Sequence, residues 1–170
     1  MVVIRATKKV LRYLPNSEDS FAQPSDNALG DWYVNRIVVD RQPLLLLLSA
    51  GSLLTILAPA RNLRALPKFL SELVGARLRR LGITRSVVDA ELASMTPVVV
   101  APTVDRAAIG YLIQFAKEIP CILPVRGWDL TTLPFVEARL AETPCHLGKK
   151  WIRPERTAAE LLLARWGSGP

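Results

Sequence analysis

Residues 44–58 read Leu-Leu-Leu-Leu-Leu-Ser-Ala-Gly-Ser-Leu-Leu-Thr-Ile-Leu-Ala, with Pro43 before them and Pro59 after. How this stretch is read decides the fold. It runs for about 15 residues, whereas a membrane-spanning helix takes about 20. The Ser-Ala-Gly-Ser break in its middle and the flanking prolines fit two buried strands joined by a tight turn. A leucine hairpin at the heart of a folded domain is therefore expected, with no membrane partner.

Working outward, Trp32–Val39 bunches aromatic and β-branched residues and reads as a strand, and Asp40–Pro43 turns it into the hairpin. Further upstream, Val2–Arg5 reads as a short strand. Thr7 then caps a brief helix with Val10, Leu11 and Leu14 on one face. The polar segment 15–30 reads as a surface loop. Downstream, Arg61 or Asn62 opens a long helix to Leu81 that places Leu66, Phe69, Leu70, Leu73, Val74 and Leu81 on one stripe; Gly82 stops it. A helix from Thr84 to Leu92, a strand over Pro97–Ala101 and a helix from Thr103 or Asp105 to Ile119 follow. Leu133–Ala141 and Glu155–Trp166 are also predicted helical, the latter with Pro154 in its first turn. The fold class is then α+β: one antiparallel-rich central sheet, including the leucine hairpin, packed by about five helices.

The chain has 170 residues, half of them apolar and 22% charged, which suits one globular domain. That domain is expected over residues 1–166, with a flexible tail at 167–170. The opening Met-Val-Val-Ile-Arg-Ala-Thr-Lys-Lys lacks the form of a secretory signal. The two cysteines, Cys121 and Cys145, form no disulfide or metal pattern, so reduced thiols in a bacterial cytoplasm are expected.

The net charge is +7. Between residues 61 and 85 lie Arg61, Arg64, Lys68, Arg77, Arg79, Arg80 and Arg85, opposed only by Glu72. Seven minus one is +6, so one helical segment carries nearly all the imbalance. At 100° per residue, Arg64, Lys68 and Arg79 fall opposite the leucine stripe. A solvated outer face accounts for them; a contact surface for phosphates or for an acidic protein is the functional alternative. Arg77 and Arg80 fall inside the apolar stripe. Either the stripe has left the core by the helix end, or the guanidiniums snorkel or meet a buried carboxylate; as last-turn cations they also complement the helix dipole, which is the leading explanation.

Recognisable catalytic motifs do not emerge. The one histidine, His146, neighbours Cys145, but adjacent side chains rarely converge and no further ligands complete a zinc site. No metal or cofactor is expected. Asp40-Arg41 and Asp105-Arg106 are two Asp-Arg pairs. Asp105 reads first as a helix cap and Asp40 first as a turn former; a shared pocket is the alternative. Trp32, Tyr33, Trp128, Trp151 and Trp166 carry most of the aromatic area, for packing in the main, or for base stacking beside a basic helix.

These segments, in order, resemble an uncharacterised bacterial family, domain of unknown function 6933. The resemblance rests on Val3-Ile4-Arg5-Ala6-Thr7-Lys8-Lys9, on Trp32-Tyr33-Val34-Asn35 running into Asp40-Arg41, and on the apolar hairpin. The basic helix with its Gly82-Ile83 step, the helix start at Asp105-Arg106, and Thr143-Pro144, Trp151 and Pro154 continue it. The chain departs from the pattern at Gln42-Pro43, where the family carries basic residues, and at the hairpin tip, where Ser or Ala replaces Asn. The resemblance brings no activity. It implies that Asn35, Asp40, Arg41, Asp105 and Arg106 belong together, as an anion or nucleotide pocket or as a lattice tying sheet to helix.

Sequence alone thus leads to a non-catalytic binding or interaction domain that uses the basic helix, in an accessory role within a mobile-element or defence setting. A nucleic-acid-binding protein using that helix, and an enzyme or anionic-ligand binder around the Asp-Arg pairs, are the alternatives. The partners such charge suits are nucleic acid, an acidic protein surface, or a second copy of the chain.

Overall fold

Five consecutive leucines satisfy neither a one-sided strand nor an amphipathic helix, and they need apolar cover on both sides. The computed structural model supplies it. It describes residues 1–15, 23–123 and 127–167, so part of the expected loop over 15–30, and the tail from 168, lie outside the described residues. The strands β1 (Val2–Ala6), β2 (Trp32–Val39), β3 (Gln42–Ser49), β4 (Thr55–Pro59) and β5 (Val98–Pro102) form one sheet in the order β4-β3-β2-β1-β5. Strands β2, β3 and β4 are an antiparallel meander, while β1 runs parallel to both β2 and β5. The sheet is therefore mixed: antiparallel through the leucine hairpin, parallel around β1.

Alternation along β3 sends Leu45 and Leu47 to one face and Leu44, Leu46 and Leu48 to the other. On the first face Leu45 and Leu47 join Ile4, Trp32, Val34 and Ile56, covered by α2 (Leu66–Arg80), α3 (Arg85–Ser94) and α6 (Pro154–Trp166). The second face is covered by α4 (Arg106–Ile122) and α5 (Leu133–Glu142), whose Leu112, Phe115, Ile119 and Val136 pack on the even leucines. All five leucines are at most 1% exposed, and burying each stabilises the fold by about 1.5–3 kcal/mol relative to leaving it in water. With the four-residue α1 (Lys8–Leu11) there are six α-helices among the described residues, plus a 3₁₀ turn at Leu63–Ala65 that absorbs the approach to Pro67. No helix among them is long and apolar enough to cross a membrane.

The predicted tight turn at Ser-Ala-Gly-Ser is instead a five-residue connection, residues 50–54, wedged against the segment before β2. Gly51 donates to the Leu29 carbonyl, Ala50 to that of Asp31, and the Ser49 hydroxyl to Leu29 again. The tight turn falls one connection earlier: Val39 pairs with Gln42, and both Asp40 and Arg41 have positive φ, 50° and 64°, as a type I′ hairpin requires.

The segment between α5 and α6 holds a hairpin that sequence reading did not anticipate, β6 (Cys145–Leu147) and β7 (Lys150–Ile152), turned by Gly148 at φ 60°. His146 faces Trp151 across it with ring centroids 3.7 Å apart.

Candidate binding crevice

Strand β1 stops five residues short of where its neighbour β2 ends. Its pairing with β2 closes at Ala6 opposite Val34, and Thr7 donates one more bond to the Val34 carbonyl before the chain leaves into α1. Strand β2 continues for five residues to Val39, paired on its other side with β3. The first helix after β1 packs toward one face of the sheet and α4, which follows the neighbouring β5, packs on the other. Two parallel strands whose helices diverge leave a crevice outside their carboxyl ends, the usual ligand position in such sheets.

That crevice has a volume of about 690 Å³. Its floor is the free length of β2, residues Asn35 to Val38; Lys9, Arg12 and Tyr13 form one wall, and Ile113, Ala116 and Lys117 of α4 the other. Lys9, Arg12, Arg36 and Lys117 give it four cations, and among the described residues no carboxylate lines it and none of the four is in an ion pair. Within the cationic rim, Tyr13, Val38 and Ile113 are 44%, 61% and 50% exposed, an apolar patch inside a charged border.

Asn35 ties the crevice to the sheet. Its Oδ1 accepts from the Thr7 hydroxyl at 3.1 Å and from the Arg36 amide at 2.9 Å, closing the ladder where β1 departs. The other four residues grouped with it by sequence lie elsewhere. Asp40 and Arg41 are exposed at the β2–β3 tip, five residues beyond Asn35 and so roughly 17 Å along an extended strand. Asp105 caps α4, accepting from the Ala107 amide at 2.8 Å, and its own amide donates to the Tyr33 hydroxyl. Arg106 is exposed in the first turn of α4. The two Asp-Arg pairs therefore do not converge on one cavity: each acts locally, one in a turn and one at a cap.

The basic helix divides in the same way. Arg61, Arg64, Lys68 and Arg79 are exposed on its outer side, and Arg85 pairs with Asp89 one turn on, both in solvent. Arg77 is not available to a partner: it is 3% exposed, its Nε 3.0 Å from Glu137 and also donating to the Thr55 carbonyl. Arg80 reaches the same carboxylate at 2.7 Å. Of the readings open for these two arginines, the structure shows the buried carboxylate, in place of the helix-dipole account expected first. Burial pushes the Glu137 carboxyl up against the pull of both guanidiniums, and pushes Arg77 down.

Sequence reasoning missed Lys9, Arg12, Arg36 and Lys117. They come from two helices and a strand spread over more than 100 positions, and in a chain with 22 basic residues no local spacing marks them. The one available signal was Asn35, which the resemblance to the family singled out.

The fold and crevice define an α+β protein with a mixed sheet covered on both faces and a cationic cleft at its parallel end. The chain belongs to the family described as Domain of unknown function (DUF6933), whose model matches residues 3–157. No curated protein matches it.

Proposed function

We propose that the chain is a non-catalytic binding domain for an acidic protein, and that it makes contact through the crevice between α1 and α4. The observation carrying this reading is the lining itself: four cations surround an exposed Tyr13-Val38-Ile113 patch, with no ion-pair partner and no carboxylate in the lining among the described residues. Interfaces commonly combine an apolar centre with a charged rim that steers the partner. A phosphate backbone gains nothing from Val38 and Ile113, which favours a polypeptide over nucleic acid. The exposed Arg61, Arg64, Lys68 and Arg79 extend the positive field and raise the encounter rate without forming the pocket.

Polyglutamate and an oligothymidylate of equal charge test this. Polyglutamate should bind with an affinity that falls as salt rises, and Lys9→Glu with Lys117→Glu should abolish the binding. If reversing Arg64, Lys68 and Arg79 abolishes it instead, the contact surface is the helix and the crevice reading is wrong. Tighter binding of the oligothymidylate would replace the protein partner with nucleic acid.

A further inference from the structure

The crevice floor is more than a patch of side chains: past Val34 it is a strand edge with no neighbouring strand among the described residues. In β2 the odd residues bond to β3, because a two-residue turn makes Val39 and Gln42 a hydrogen-bonded pair and the pattern then alternates through Ile37–Leu44 and Asn35–Leu46. The even residues face the other way. The Val34 carbonyl accepts from Thr7, which confirms the direction. Past that point β1 is gone, and the backbone of Arg36 and Val38 points into the crevice. The Arg36 amide is taken by Asn35 Oδ1, and among the described residues the Arg36 carbonyl and both polar groups of Val38 have no partner.

We infer that the crevice binds an extended acidic peptide by strand addition, the incoming segment continuing the line of β1 along β2 between α1 and α4. This rests on the crevice being the contact surface and adds the geometry of the bound partner. Main-chain bonds to Arg36 and Val38 hold the peptide, and its alternate side chains point to the two walls. The walls say which side chains suit: Lys9, Arg12, Arg36 and Lys117 select carboxylates, and Tyr13, Val38 and Ile113 accept apolar residues between them. The edge is short, so charge steers the peptide and a few backbone bonds set its register. Proteins blunt free edges with charge to prevent self-pairing, and Arg36 and Lys117 serve that end here while leaving an acidic strand welcome.

The test uses the full chain and a fluorescent nonapeptide of alternating Glu and Val, read by anisotropy. Binding should be salt-dependent, and a Lys/Val counterpart should not bind. Two further peptides carry N-methyl groups on their odd or on their even residues. Strand addition requires that one set weakens binding by about tenfold or more while the other leaves it nearly unchanged, because only alternate amides face the edge. Val38→Pro should weaken the parent peptide similarly while leaving the thermal midpoint near wild type, since the lost N–H lies outside the β2–β3 ladder. If both methylated peptides bind as tightly as the parent, strand addition is overturned while charge recognition at the crevice stands. If no acidic peptide binds at all, both fall together.

Discussion

Glu137 is the residue whose loss the structure predicts most sharply. Its carboxylate is 1% exposed and receives Arg77 Nε at 3.0 Å, Arg80 Nη2 at 2.7 Å and, at the limit of reach, the Leu57 amide at 3.5 Å. It locks α5 to the end of α2 and to β4, across the edge of the sheet. Glu137→Gln removes the charge and leaves the Arg77 guanidinium buried with only carbonyls, Thr55 at 3.1 Å and Glu137 itself at 3.4 Å. Removing one partner of a buried pair costs about 3–5 kcal/mol. For a chain of this size, each kcal/mol lowers the thermal midpoint by about 2–4 °C, so a fall of about 10 °C is expected. Glu137→Leu combined with Arg77→Met should recover at least half of that loss. For both Glu137 and Arg77 the largest influence is desolvation by burial, and an apolar pair escapes it. Scanning calorimetry and urea titration measure both variants. A Glu137→Gln loss below about 1 kcal/mol, the range of a solvated pair, would refute the reasoning; so would a double variant no better than the single one.

Three further predictions follow from local geometry. Arg41→Gly should stabilise the fold by about 0.5–1 kcal/mol, because position 41 sits at φ 64° with its side chain in solvent, and the urea midpoint should rise accordingly. Gly51→Ala should cost about 1–3 kcal/mol, because the added Cβ would lie 2.9 Å from the Leu29 carbonyl oxygen in a connection that backbone bonds hold in place; an unchanged midpoint would show that the loop yields. Native protein at pH 8 should titrate one thiol, the exposed Cys121, and two after denaturation, since Cys145 is 1% exposed and burial raises its pKa to about 11. A thiol raised on folding contributes stability in full below its unfolded value, and that contribution is lost as pH rises through about 11, so the fold should weaken across this alkaline window unless Cys145 is replaced by Ala.

Much of the chain was decided locally. Leu44–Leu48 could only be a strand covered on both faces, since five consecutive leucines fit neither a strand with one wet side nor an amphipathic helix of that length. Trp32–Val39 and the stripe of α2 were legible for the same reason: periods of 2 and 3.6 are written along the chain itself. Asp105 as a cap and Asp40 as a turn former were also local, since each bonds or bends within a few residues of its own position. The parallel pairing of β1 with β2 and β5 was decided only in three dimensions, because residues 28 and 96 positions apart carry no mark of direction. The same holds for Glu137 at Arg77 and Arg80: the sequence shows two cations in an apolar stripe but not the carboxylate about 60 positions away that neutralises them. The crevice is the extreme case. Lys9, Arg12, Arg36 and Lys117 line one cavity only because β1 ends early and its helix and α4 take opposite faces of the sheet, with the β2 edge between them.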